Sequence, residues 1–252
     1  MKLGMIAVLT VAANGLFGAE VVAPKLPSGE DIMNKHVEAT GGKAAWSKLK
    51  TQVMKANLEF VGQGVKGNLT TLSTTDNNSR TVMVLEGLGE MHQGVTAGKA
   101  WSNSAMQGPR ILDGAEKKQA LRSARFNMLA NCGEFYSELK TEGEEALDGR
   151  PSWRVLASLK DGDKSETMWF DKESGLMVKT RTVIASPMGE IPVDSLVSDY
   201  RKAGALKVPF LVEQKIGPQT IRTTVQSVEF DTEIELTRFA LPAEVQALAA
   251  KK

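Results

Sequence analysis

The residues best suited to chemistry lie in "GEMHQGVTAGKAW", residues 89–101. The segment holds His92, one of two histidines in the chain, with Glu90 two positions before it. In an extended segment residues two apart share a face, so Glu90 can contact the His92 imidazole and orient it as a general base. Such a pair needs a nucleophile, and no G-x-S-x-G elbow supplies one. The other histidine, His36, falls on an apolar helical stripe, where a packed imidazole is commoner than a ligand. Glu144-Glu145 and the pair Asp161 and Asp163 lie in turn sequences, where carboxylates are solvated, and nothing marks them as the acid pair of a glycosidase. "DGDKSE" opens like a calcium loop but has no glutamate in register at its twelfth position. The single cysteine, Cys132, excludes an intramolecular disulfide, and no zinc or c-type haem spacing occurs. "GVKG" and "GPRILDG" lack phosphate-loop spacing. The residues point away from an enzyme: no catalytic group, no metal and no cofactor are expected.

The elements that must position His92 give a plainer account of the same segment. "EMHQGVT" and "KAWS" flank Ala97-Gly98, the signature of a tight hairpin. Upstream, "SGEDIMNKHVEATGG" reads as a helix with Ser28 as N-cap, Asp31 three residues on, and Gly41 or Gly42 at its end. Ile32, Met33, His36, Val37 and Thr40 share one face, and a short second helix points Ala45, Trp46 and Leu49 the same way. From Thr51 the period becomes 2: Met54, Ala56, Leu58 and Phe60 alternate with Lys55, Asn57 and Glu59. Turn signals at 76–79, Asp148-Gly149, 161–163, Ser174-Gly175 and Gly204 punctuate further strands, and lost alternation between Val225 and Val228 predicts a bulge. A helix interrupts them at "ILDGAEKKQALRSARFNMLANCG". There Asp113 and Glu116 form a capping pair, Leu121, Ala124, Met128 and Cys132 form a stripe, and Lys117, Lys118, Arg122 and Arg125 lie outside. Roughly ten hairpin-linked strands predict a mainly β (α+β) fold. The expected form is a single curved antiparallel sheet, an incomplete β-barrel, with the N-terminal helix and the inserted helix covering its concave face.

The 252-residue chain opens with one lysine, Lys2, then an apolar run from Leu3 to Ala13, and small residues before Glu20. Residues 1–19 therefore read as a secretory signal peptide cleaved near Gly18 or Ala19, which places the protein in the periplasm or otherwise outside the cytoplasm. Residues 20–27 read as a linker, 28–242 as the sheet domain, and 243–252 as a short helix or tail. A net charge of +1 argues against nucleic acid as a partner.

The segments "IMNKHVEATGGKAAWSKLK", "GPRILDGAE", "LDGRPSWRVLASLKDG", "MWFDKESGLMVKTRTV", "SDYRKAGALKVPF" and "FDTEIELTRFALP" follow one another along the chain. In that order they resemble the outer-membrane lipoprotein-sorting superfamily, the LolA/LolB-like periplasmic lipoprotein carriers, over nearly all of the mature chain. The resemblance implies a half-open barrel with helices over its opening, enclosing an apolar cavity for lipid or lipoprotein acyl chains. No transfer residue of that family maps onto a position here. Such a carrier is expected to be a monomer that meets membranes or envelope proteins transiently.

A cavity of that kind needs apolar, adaptable walls, which methionine supplies. On that basis Met54, Leu58, Phe60, Met83, Met91, Trp101, Leu121, Met128, Trp153 and Met168 are the candidate ligand-binding residues. Ten to fifteen buried methylenes at about 0.8 kcal/mol each would supply roughly 8–12 kcal/mol before ordering costs. Two other readings stay open: the same residues fill a core and the protein is a ligand-free scaffold, or it is a hydrolase of unfamiliar pattern.

Overall fold

The computed structural model describes residues 25–187 and 189–250. The signal segment, most of the linker and the last two residues of the tail lie outside the described residues.

Helix α1 (Gly29–Ala39) begins where Ser28 Oγ accepts the Asp31 N–H at 3.0 Å. It ends in a Schellman arrangement, with Gly42 N–H donating to Val37 O at 2.9 Å and Gly41 N–H to Glu38 O at 3.2 Å. Gly41 and Gly42 take φ of 126° and 85°, conformations open to glycine. Ile32, Met33, His36 and Val37 are buried on the sheet side. The approach is tight at Gly29, where a Cβ would lie 2.3 Å from Leu139 O. Helix α2 (Lys43–Lys48) follows and packs Ala45 and Trp46 against the sheet.

Six strands come next: β1 (Thr51–Phe60), β2 (Val65–Thr74), β3 (Ser79–Leu85), β4 (Gly89–Thr96), β5 (Lys99–Ser104) and β6 (Gly108–Ile111). After them come α3 (Gly114–Ser123), a 3-10 turn (Leu129–Asn131) and α4 (Cys132–Phe135). Seven more strands complete the sheet: β7 (Tyr136–Leu147), β8 (Arg150–Leu159), β9 (Glu166–Asp171), β10 (Met177–Ser186), β11 (Gly189–Ala203), β12 (Leu206–Ile216) and β13 (Gln219–Phe230). A 3-10 turn (Leu236–Phe239) and α5 (Ala243–Ala249) end the described chain.

The strands form one antiparallel sheet in the order β6-β5-β4-β3-β2-β1-β13-β12-β11-β10-β9-β8-β7. The first meander runs outward from the centre to β6, the helical insert carries the chain to the far edge at β7, and the second meander returns to pair β13 with β1. Because β6 and β7 remain unpaired edges, the sheet is open and not a closed barrel.

Ala97 and Gly98 both have positive φ (47° and 74°), as a type I′ hairpin requires, and Asp148 and Gly149 repeat the geometry. The bulge lies where alternation fails: Lys55 pairs with Ser227 and Ala56 with Val225, leaving Gln226 unopposed. The 13 strands exceed the roughly ten expected. One that escapes pattern reading is β6, four residues with Pro109 in it, tolerated because it lies at the edge.

The insert also differs from expectation. Its helix stops at Ser123 instead of running on to Cys132. Leu121 and Ala124 pack with Val95 and Ala100, whereas Met128, Leu129 and Cys132 pack on a separate cluster of Met33, Val155, Met168 and Phe170. One straight helix cannot serve two cores set apart around a curved sheet. The capping pair is absent as well: Asp113 makes no side-chain cap, and Glu116 instead holds Arg110 with bonds of 3.2 and 2.6 Å. Asp161 and Asp163 clamp α3 to the β8–β9 hairpin through Arg122, at 2.6 Å from Asp163, which explains the calcium-loop-like acids without a cation. The face away from α3 is crossed by the C-terminal segment, where Phe239 O accepts from Thr96 Oγ1 and Val245 is fully buried.

Candidate ligand-binding cavity

A cavity of about 400 Å³ lies between the sheet and its helical cover. His36 and Val37 of α1, Thr40 at its C-cap, Trp46 of α2, and Phe126 and Leu129 of the insert line one side. Met54 of β1, Val208 and Val212 of β12, and Thr223, Val225 and Val228 of β13 line the other, with Met177 and Tyr200 also contributing. The local sequence explains the hollow. β-Branched residues favour strands and keep side chains short, so the β12–β13 floor stays low under α1 and α2.

Most polar side chains of the wall are hydrogen-bonded to protein. Thr40 Oγ1 donates to His36 O at 2.9 Å and accepts from Trp46 Nε1 at 3.2 Å, while Tyr200 Oη donates to Met177 O at 2.9 Å. Gln52, Asn127, Lys207 and Thr223 also line the wall and make no side-chain hydrogen bond to protein among the described residues; Asn127 is the buried one of the four. The wall therefore offers carbon over most of its surface, with the Gln52 and Asn127 amides, the Thr223 hydroxyl and the Lys207 ammonium as its polar groups without a protein partner among the described residues.

His36 ties the cover to the sheet. Its Nδ1 accepts the Met177 N–H at 3.2 Å, its ring lies 5.4 Å from that of Phe170, and it is 5% exposed. Burial lowers its pKa to about 4, against the opposing pull of the Gly175 carbonyl, so it is neutral at pH 7. The folded pKa lies below the unfolded value of about 6.5, so the unfolded chain binds the extra proton between them. The associated stability, about 3 kcal/mol, is present above pH 6.5 and is lost as pH falls toward 4. The urea midpoint is expected to drop over that window in the native protein and to drop far less in His36→Gln. An equal drop in both would contradict this role.

Of the ten residues expected at the cavity, Met54 lines it. Leu58 is buried further along β1, and Phe60 is half-buried at that strand's end. Met83 and Met91 face each other across β3 and β4. Met91 and Trp101 border a second cavity beside α3. Leu121 packs on the Val95 cluster, while Met128, Trp153 and Met168 belong to the core under α1. The β13 residues that line the cavity, Thr223, Val225 and Val228, lie in "TIRTTVQSVEF", where alternation up to the bulge marks the inward positions.

His92 and Glu90 do meet, with Nε2 and Oε2 2.8 Å apart, and Arg80 Nη2 donates to Nδ1 at 3.3 Å. The pair lies on the face crossed by the C-terminal segment, where Arg80 also donates to Arg238 O. No hydroxyl or thiol bonds to the ring among the described residues. Nor do three or more His, Cys, Asp or Glu side chains converge as a metal site among them.

No protein-family model and no curated protein sequence matches the chain. Solved structures do. A DUF1329 family protein from Desulfovibrio piger superposes with a TM-score of 0.58 at 12% identity, over 87% of this chain and 100% of that one. A LolA superfamily protein from Nitrosomonas europaea gives 0.57 at 12% identity, over 86% and 99%. A putative outer membrane lipoprotein-sorting protein domain from Vibrio parahaemolyticus gives 0.52 at 11% identity, over 84% and 95%. At these identities the likeness concerns architecture, not activity. The chain has the fold of the LolA superfamily and lipoprotein-sorting-domain proteins.

Proposed function

We propose that the protein is an exported, non-enzymatic carrier that shelters the hydrocarbon part of a lipid, or the acyl chains of a lipoprotein, in the cavity beneath α1 and α2. The observation that carries this reading is the wall itself. Valines, methionines and aromatic rings surround about 400 Å³, and His36, Thr40 and Tyr200 among them are already hydrogen-bonded to protein. That volume falls in the roughly 300–1,000 Å³ range of small-molecule sites. An alkyl chain gains about 0.8 kcal/mol per buried methylene, so eight methylenes would supply roughly 6 kcal/mol before ordering costs. The fold agrees with the reading, since one of its neighbours is named as a lipoprotein-sorting domain. The protein acts as a monomer after signal cleavage near Gly18 or Ala19, working in the periplasm or beyond it with brief contacts to membranes or envelope proteins.

Solvent extracts of protein purified without detergent are expected to contain lipid in near-stoichiometric amount by mass spectrometry. Clean extracts from repeated preparations, together with no saturable binding of a fluorescent fatty acid, would contradict the proposal. A stable envelope partner found alongside them would favour the scaffold reading.

A further inference from the structure

We infer that the ligand is an amphiphile with an uncharged, hydroxyl-bearing head group, glyceryl or glycosyl, which occupies the second cavity while its chain occupies the first. This rests on the acyl-chain reading above and adds the class of head group. The second cavity, about 270 Å³, lies beside α3 over β2–β6. It adjoins the first: Met54, in the wall of one, pairs in register with Thr71, in the wall of the other. On the covering side Ala124 borders the second and Phe126, two residues on, the first.

The two walls differ in chemistry. Where the first is mostly carbon, with Gln52, Asn127, Gln214 and Lys207 among its polar groups, the second presents a denser set of hydroxyls and amides from Thr71, Thr81, Gln93, Ser102 and Gln119. Thr71 and Thr81 hydroxyls lie 3.1 Å apart and share one hydrogen bond, which leaves acceptor capacity on both. Gln119 spends its Oε1 on the Ala185 N–H at 2.9 Å and keeps its NH₂ for a ligand. The side chains of Gln93 and Ser102 make no protein hydrogen bond among the described residues.

The charged groups of this wall, Arg110 and Glu116, close on each other through two bonds of 3.2 and 2.6 Å. A phosphate or carboxylate would give up hydration here without meeting an unpaired cation. A hydroxyl, which donates and accepts at once, matches a wall of mixed donors and acceptors.

The test is displacement of a fluorescent fatty acid by dodecyl ligands that differ only at the head: monolauroylglycerol, dodecyl glucoside, dodecanoate and dodecylphosphocholine, each below its micellar concentration. Monolauroylglycerol or dodecyl glucoside is expected to bind about tenfold tighter than the two charged ligands. The stronger of the two identifies the head as glyceryl or glycosyl. The pair Thr81→Val and Gln93→Leu should erase that advantage and leave dodecanoate unchanged. Equal binding by all four, preference for a charged head, or an equal shift of all four in the variant would overturn the inference and leave the acyl-chain reading standing. If none of the four displaces the probe and the probe itself fails to saturate, the acyl-chain reading fails first.

Discussion

Val212→Trp is expected to abolish most acyl-chain binding while leaving the fold in place. Val212 and Thr223 face each other across β12 and β13, and both border the cavity. Val212 is only half-buried, so a larger side chain there projects into open space and does not force apart packed atoms. An indole that takes the room of three methylenes removes about 2.4 kcal/mol, roughly a fiftyfold loss in affinity. Ser198→Trp, exposed on β11 and away from the cavity, is the matched control and should bind normally. Fluorescence titration gives the affinities, and circular dichroism checks that both variants fold. Unchanged binding by Val212→Trp would mean that the chain lies elsewhere.

Phe170→Ala should be among the most destabilising single changes in the protein. Phe170 is 1% exposed, belongs to the cluster that includes Ile32 and Met33 of α1, and stands beside the His36 ring. Truncating a buried phenylalanine costs about 3–5 kcal/mol, from lost burial and the cavity left behind. Because α1 rests on that cluster and also roofs the hollow, acyl-chain binding should weaken as well. Met83→Ala, on a half-buried strand position, should cost about 1 kcal/mol or less in the same urea titration. A cost below 1 kcal/mol for Phe170→Ala would show that α1 is not seated on this core.

Local rules make much of the fold readable from the sequence. Ser28 as a cap, the change of period at Thr51, the Ala97-Gly98 turn and the bulge near Gln226 each follow from a few neighbouring residues. What alternation cannot say is where along the concave face a helix will rest. Leu58 and Met168 point to the apolar side as expected, yet both are covered by packing and neither meets the cavity. The break after Ser123 was equally hidden, because Leu121, Ala124, Met128 and Cys132 keep helical spacing while serving different cores. The hollow lies where short valine and threonine side chains of β12 and β13 face Trp46, Met54 and Met177. The pair His92 and Glu90 follows from spacing alone: alternation sets both on the face opposite Met91, Gln93 and Val95, and they meet there.

The most direct measurement uses Trp46, one of four tryptophans in the chain and the one in the wall of the first cavity. A fatty acid brominated along its chain quenches indoles that it touches. Saturable quenching is expected in the native protein and should disappear in Trp46→Phe, although that variant still binds the same fatty acid by equilibrium dialysis. Quenching that persists undiminished without Trp46, or none at saturating ligand, would contradict a hydrocarbon guest beneath α1 and α2.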